Sequence, residues 1–120
     1  MITALILAAG QSKRMGQPKM VLPWGETTVL GQVIQTFKSA GLEEILVITG
    51  GDREQVEALV GDSARTIFNP NYAEGEMLSS LQVGLAGLKL SVEAALIGLG
   101  DQPQVQERSV RLVVEEYYQS

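Results

Sequence analysis

The sequence predicts an α/β protein: a Rossmann-like, doubly wound parallel sheet with helices on both faces, formed as one domain over residues 1–120. Three observations carry this. Short apolar runs rich in β-branched residues alternate four times with apolar residues at helical spacing, and four β-α units in series make a parallel sheet covered by helices. Each run stops at Gly, Asn-Pro or Gly-Asp, residues that end strands and form turns. The length of 120 residues and a hydrophobic content of 45% suit one domain with one core.

Thr3 to Ala8 is an apolar run short enough for a buried strand. Leu30, Val33, Ile34 and Phe37 then repeat with helical period, and Gly41 is the expected stop. Ile45 to Ile48 is the second strand, closed by Gly50-Gly51; Val56, Leu59 and Val60 mark a short helix ending at Gly61. Arg65 to Phe68 is the third strand, stopped by Asn69-Pro70, and Leu78, Leu81, Leu85 and Leu88 mark the third helix. Ala94 to Leu99 is the fourth strand, ending in Gly100-Asp101-Gln102-Pro103, and Val110, Val113, Val114 and Tyr117 mark the last helix. The order holds no repeat, linker or low-complexity stretch. In such sheets ligands bind beyond the carboxyl ends of the strands, so the four strand-end loops locate the site before its chemistry is known.

Composition then narrows the chemistry. No stretch approaches the ~20 apolar residues of a membrane span. The amino terminus also lacks the cationic start and cleavage site of a signal peptide. The expected location is therefore the cytoplasm, with no membrane partner. Cys and His are both absent, which excludes thiolate chemistry, Ser-His or Cys-His nucleophile pairs and His- or Cys-bound zinc. Any metal must sit on oxygen, as Mg²⁺, Mn²⁺ or Ca²⁺ do. A formal net charge of −5 argues against a nucleic-acid partner.

Against that acidic background, residues 5–19, LILAAGQSKRMGQPK, carry Lys13, Arg14 and Lys19, and no acid precedes Glu26. Local positive charge after the first strand suits a small anion. Gly10 can take positive φ and admits an anion to the backbone, while Arg14 offers bidentate and Lys19 point-charge contacts to phosphate. Neither common glycine loop fits. Five residues separate Gly10 from Gly16, and Gln17-Pro18 follows, where a P-loop needs four residues and then Lys-Ser/Thr. The G-x-G-x-x-G spacing of dinucleotide folds is broken by Gln11-Ser12, and Pro18 and Pro23 forbid a long helix directly after the loop.

Leu7-Ala8-Ala9-Gly10-Gln-Ser-Lys-Arg14-Met15-Gly16-Gln-Pro18-Lys19 resembles the signature L-A-A-G-x-S-x-R-M-G-x-P-K of the molybdenum cofactor nucleotidyltransferases, the MobA-like NTP transferase family, in its cytidylyltransferase branch. Asn69-Pro70-Asn71-Tyr72-Ala-Glu-Gly75-Glu-Met77-Leu-Ser-Ser80-Leu81-Gln-Val-Gly84-Leu85 resembles the family's base- and ribose-binding segment, and Gly100-Asp101-Gln102-Pro103 its metal-binding motif. The resemblance covers the whole chain, but the family runs longer, so a C-terminally truncated nucleotidyltransferase fold is expected.

The resemblance implies transfer of CMP from CTP to the phosphate of a molybdopterin acceptor, with release of pyrophosphate and with Mg²⁺ as cofactor. It also implies nucleotide binding by Leu7, Ala8, Ala9, Gly10, Arg14, Lys19, Gly75 and Ser80, catalytic roles for Arg14 and Lys19, and metal binding by Asp101. Ala9, where the guanylyl branch has glycine, implies CTP over GTP. Other readings stand beside these. Asp101 could simply close a Gly-Asp-x-Pro turn. Ser79 and Ser80 could cap a helix or lie exposed in its first turn. Gly84 suits close packing on the sheet, Lys13 solvation, and Trp24 and Gly25 either a border of the site or cover for the core, with packing favoured for Trp24. A sugar-phosphate or other small-metabolite nucleotidyltransferase is the enzyme alternative, and a truncated non-catalytic nucleotide-binding protein the other. The chain is expected to fold, to self-associate through an open edge at the fourth strand, and alone to bind nucleotide weakly and transfer it slowly or not at all.

Overall fold

The amino-terminal apolar run forms the middle of the sheet. A computed structural model describes residues 1–10, 13–14, 17–42, 44–73 and 76–119, without the side chains of Lys13, Arg14 and Glu76. In chain order the elements are β1 (Ile2–Ala8), the two-residue strands β2 (Lys13–Arg14) and β3 (Gln17–Pro18), a 3-10 turn (Lys19–Val21), β4 (Pro23–Trp24), β5 (Thr27–Thr28), α1 (Val29–Ser39), β6 (Glu44–Thr49), α2 (Arg53–Val60), β7 (Arg65–Phe68), α3 (Glu76–Ala86), β8 (Ala94–Leu99) and α4 (Glu107–Gln119). All four major strands and helices fall where hydrophobic period placed them. The small hairpins β2–β3 and β4–β5 do not, because two-residue strands carry no period to read. The prolines act as expected in denying this stretch a long helix. Helix α1 begins where Thr28 accepts a hydrogen bond from the Gly31 N–H at 3.0 Å, an N-cap the periodicity did not reveal.

The main sheet is parallel in the order β7-β6-β1-β8. Alternation along β1 splits the core in two. Ala4, Ile6 and Ala8 pack with Leu30, Val33 and Phe37 of α1, Val56 and Val60 of α2, and Val110 of α4. Leu5 and Ala9 pack on the other face with Leu46 and Ile48, under Leu81 and Val83 of α3 and Leu88 just beyond it. Each fully buried Leu, Ile or Phe contributes about 1.5–3 kcal/mol. Helices thus cover both faces, three on one and α3 alone on the other. At Gly98 a Cβ would stand 2.6 Å from the Phe37 ring, so β8 can lie against α1 only without a side chain there.

The leucine period over α3 marks the helix but not its buried face. Leu78 and Leu85 are exposed. The helix approaches the sheet instead through Gly84 and, one residue past its end, Gly87. A Cβ at Gly84 would come within 3.0 Å of Ile48 and 3.2 Å of Leu5, and one at Gly87 within 3.1 Å of Ile67. Close packing is therefore the role of Gly84. Helix α4 buries Val110, while Val113 and Tyr117 are exposed. Trp24 is 44% exposed, in the β4–β5 hairpin beside α1. Gly25 forms the turn of that hairpin with φ +59°.

Strand β8 is an edge, and on the α3 side its Ile97 and Leu99 are exposed. Its entry is tied down by charge: the Met1 ammonium lies 2.8 Å from Glu93 Oε1, which also accepts from the Tyr118 hydroxyl at 3.3 Å. The Met1 ammonium holds the Glu93 carboxyl below its ordinary value, and loss of hydration with the charge of Glu93 raises Tyr118. A carboxyl depressed in the folded state contributes stability that is present above its unfolded value and lost as pH falls through the folded one. Replacing Glu93 with Gln is expected to lower the melting temperature near pH 7 slightly and to flatten its fall below pH 4.5, the ordinary value of this carboxyl. Parallel melting curves for the two proteins from pH 7 to pH 3 would show that the ion pair contributes nothing.

Candidate active site

Leaving β1, the chain builds β6 and then β7 on one side and β8 on the other. The connections reverse between β1 and β8, and in an open parallel sheet the crevice at the carboxyl end of that point is where ligands bind. A cavity of about 420 Å³ opens there. Leu7, Ala9 and Gly10 at the end of β1 and Leu99, Asp101 and Gln102 at the end of β8 form its floor. Lys19 and Met20 of the 3-10 turn enter from one side, and Tyr72, Met77 and Ser80 from the loop before α3 and from α3 itself. Lys19 and Asp101 are its charged lining residues, and Leu7, Met20, Tyr72, Met77 and Leu99 its large apolar ones.

The geometry at each strand end follows from small residues. Gly10 does not use the positive φ open to it. Among the described residues nothing lies within 4 Å of where a Cβ there would stand. Gly50, after β6, is the tight position: a Cβ would stand 2.6 Å from the Ala9 carbonyl oxygen and 2.8 Å from its Cα. At the end of β8, the Gly100 N–H donates to the Leu7 carbonyl at 2.9 Å and the Gln102 N–H to the Leu99 carbonyl at 3.1 Å. The backbone therefore closes this turn. Asp101 makes no hydrogen bond or ion pair among the described residues, so turn closure is not what its side chain does. It faces the cavity, as Lys19 does, and Lys19 makes no ion pair among the described residues.

The α3 side is held by Asn69, which is fully buried. Its backbone N–H donates to the Thr49 carbonyl at 2.9 Å and its carbonyl accepts from the Tyr72 N–H at 3.3 Å. Its side-chain Oδ1 accepts from the Asn71 N–H at 2.9 Å, and its Nδ2 donates to Ser79 Oγ at 2.8 Å and Ser80 Oγ at 3.0 Å. Ser79 and Ser80 are neither caps nor exposed in a first turn: α3 starts at Glu76, and Ser80 is 4% exposed.

Of the residues expected at the site, Leu7, Ala9, Gly10, Lys19, Ser80 and Asp101 line one cavity. Ala8 points to the opposite face of the sheet and is buried with the α1 layer, so only its backbone borders the crevice. Gly75 and the side chain of Arg14 lie outside the described residues. Sequence reasoning did not assign Met20, Tyr72, Met77, Leu99 or Gln102 to the wall. It placed Gly50 and Asn69 in the strand-end loops that locate the site, and Asn69 in the segment that resembles the family's base- and ribose-binding one, but gave neither a role of its own. Among the described residues no three acids gather. A lone carboxylate on the cavity wall fits Mg²⁺, which keeps waters and takes one or two carboxylates plus substrate phosphates. Asp101 is the residue that would hold it.

Fold and crevice define a parallel α/β domain with an open crevice, lined by apolar residues together with Lys19, Ser80, Asp101 and Gln102, at its topological switch point. The chain belongs to the MobA-like NTP transferase domain family, whose model matches residues 4–120. It is 36% identical over 103 residues to the molybdenum cofactor cytidylyltransferase of Escherichia coli strain K12, covering 85% of this chain and 52% of that protein. It is 31% identical over 116 residues to the nicotine blue oxidoreductase of Paenarthrobacter nicotinovorans, covering 94% and 56%. Among solved structures, the Rv0371C protein of Mycobacterium tuberculosis H37Rv complexed with manganese is 32% identical, with a TM-score of 0.79 over 95% of this chain and 58% of that one. The chain thus spans about half the length of these two curated relatives. No helix among the described residues is long and apolar enough to cross a membrane.

Proposed function

We propose that this protein is a nucleotidyltransferase that transfers CMP from CTP to the phosphate of a molybdopterin-type acceptor in the cytoplasm, with Mg²⁺ as cofactor. The observation that carries the reading is the gathering of Ala9, Gly10, Lys19, Ser80 and Asp101 around one crevice at the β1/β8 switch point, in a chain of this family. An acceptor phosphate oxygen attacks the α-phosphorus of CTP. The bond from that phosphorus to the α,β-bridging oxygen breaks, and pyrophosphate leaves. A phosphate nucleophile is already ionised near pH 7, so no general base is needed, and a chain without His loses nothing. Alignment and charge stabilisation remain.

Gly10 leaves room for the triphosphate beside the backbone, Lys19 neutralises charge growing at the α-phosphate, and Arg14 grips the outer phosphates. The apolar lining, with Tyr72 and Met77, takes the base. Mg²⁺, held by Asp101, would neutralise the phosphates as a Lewis acid. Calorimetry with CTP and with GTP, each with Mg²⁺, tests the base, and pyrophosphate release with a molybdenum-loaded pterin acceptor tests the reaction. CTP is expected to bind more tightly, and acceptor-dependent pyrophosphate release to follow. Equal or tighter binding of GTP would sink the cytidylyl assignment. Release driven by a sugar phosphate instead of the pterin would move the protein to the sugar-phosphate class.

A further inference from the structure

The two charged residues of the crevice, Lys19 and Asp101, stand on separate pieces of backbone, and each piece is fastened on its own side. The 3-10 turn that carries Lys19 is closed by the Leu22 N–H, which donates to the Lys19 carbonyl at 3.1 Å. It is tied to the start of α1 by the Val29 N–H, which donates to the Leu22 carbonyl at 3.0 Å. The turn that carries Asp101 is tied to β1 by the Gly100 N–H, which donates to the Leu7 carbonyl at 2.9 Å. These hydrogen bonds do not join the two pieces to each other. Met20 does. It is 4% exposed, belongs to the core on the α1 side and lines the crevice. A Cβ at Gly100 would stand 3.1 Å from Met20 Sδ, 3.1 Å from the Leu7 carbonyl oxygen and 3.2 Å from Leu30 Cδ1. The thioether thus occupies the space that a side chain at position 100 would take, and it rests there because glycine admits so close an approach.

We propose that Met20 is a positioning residue: its thioether, seated on Gly100, sets the spacing of Lys19 and Asp101 across the crevice. The proposal rests on the nucleotide reading above, since the spacing matters only where both charges serve one triphosphate. Lys19 directly precedes Met20 and Asp101 directly follows Gly100, so a shift at this contact passes at once to both. A close-packed interior transmits such a shift rather than absorbing it. Charge-assisted contacts to phosphate are short and directional, and a bound triphosphate cannot meet both partners once their spacing has changed. Methionine suits the task because its unbranched chain reaches into an irregular gap that a stiffer side chain would leave open. Met20 need not touch the nucleotide. It acts through the two residues whose backbones it holds together.

The test takes two readouts on the full product of the reading frame, with melting temperatures alongside. One is kcat and KM for CTP from pyrophosphate release. The other needs no turnover: the factor by which Mg²⁺ tightens CTP binding, by calorimetry. Met20→Ala is expected to lower kcat about 100-fold, the cost of a misplacement near 1 Å, with KM changed far less. It is also expected to lower the Mg²⁺ factor about tenfold, the value of one charge-assisted contact. Met20→Leu keeps an atom at the δ position over Gly100 and should restore both. Val33→Ala empties part of the same core away from the crevice; it should lower the melting temperature and leave both readouts at their wild-type values. Gly100→Ala pushes the sulfur from the other side, by less than 1 Å, and is expected to lower kcat about tenfold. With Met20→Ala already present it should cost nothing more, because the pushed atom is gone. A wild-type kcat and Mg²⁺ factor in Met20→Ala, equal losses in Met20→Ala and Val33→Ala, or additive losses at positions 20 and 100 each overturn the proposal. Should Met20→Ala fail to fold, Gly100→Ala decides, and an unchanged kcat there overturns it. A wild type that does not bind CTP overturns the underlying nucleotide reading and this proposal with it, whereas a wild type that binds CTP, with both readouts unmoved in Met20→Ala, overturns this proposal alone.

Discussion

Gly50→Ala is expected to cost about 1–3 kcal/mol of folding stability, the range for forcing an atom into a filled site, and about 100-fold in nucleotidyl transfer. The added Cβ would stand 2.6 Å from the Ala9 carbonyl oxygen and 2.8 Å from both Ala9 Cα and Cβ. Two of these are backbone atoms, which cannot swing aside as the end of a side chain can. Either the end of β6 or the Ala9–Gly10 segment must shift. The second lies on the floor of the crevice, and a misplacement near 1 Å there costs about 100-fold in rate. Urea denaturation gives the first quantity and pyrophosphate release the second. Gly10→Ala serves as the control, since among the described residues nothing lies within 4 Å of its Cβ and stability should stay within about 0.5 kcal/mol of wild type. A Gly50→Ala protein as stable and as active as wild type would show that the contact does not hold the loop in place.

Lys19→Ala is expected to lower turnover by roughly 100- to 1000-fold, the effect of removing one group that stabilises transition-state charge, and to weaken CTP binding far less. A charge aimed at the reacting phosphate gains most when negative charge grows there, so its loss appears mainly in kcat. Stability should move by less than about 0.5 kcal/mol, because Lys19 makes no ion pair among the described residues and its turn is closed by its carbonyl, which accepts from the Leu22 N–H at 3.1 Å. Turnover is measured on the full product of the reading frame and CTP binding by calorimetry. A variant that loses binding and turnover in equal proportion would make Lys19 a ground-state contact.

Much of this architecture is legible in the residues alone. Burial forces apolar side chains into a period of two along strands and of 3.6 along helices, and that is why β1, β6, β7, β8 and the four helices stand where the pattern puts them. Helix α3 shows the limit. Its leucines announce a helix, yet Gly84 and Gly87 decide which side meets the sheet, because backbone proximity needs small residues and hydropathy cannot see it. Trp24 shows another: in a two-residue hairpin strand beside α1 a large apolar side chain stays 44% exposed, and no period in the sequence marks that strand. The site divides in the same way. Lys19 and Asp101 were readable as charge placed at strand ends. Gly50 and Asn69 act through contacts with residues about forty and about ten positions away, and such contacts exist only once the chain has folded.

The central position of β1 bears on how this protein is made. β1, made before both of its neighbours, pairs with β6 on one side and, in the register Ile2↔Ala94, with β8 on the other, a separation of 92 residues. At about 5–20 residues per second of synthesis, the seven residues of β1 wait roughly 5–18 s for their second neighbour. For that interval Ile2, Leu5 and Ile6 are apolar and their backbone edge is unpaired, and long-range parallel pairing is slow even after the partner arrives. Until β8 arrives the nascent chain presents an unpaired strand edge, and slowing translation ahead of β8 is expected to lengthen that exposure and lower the yield of folded protein.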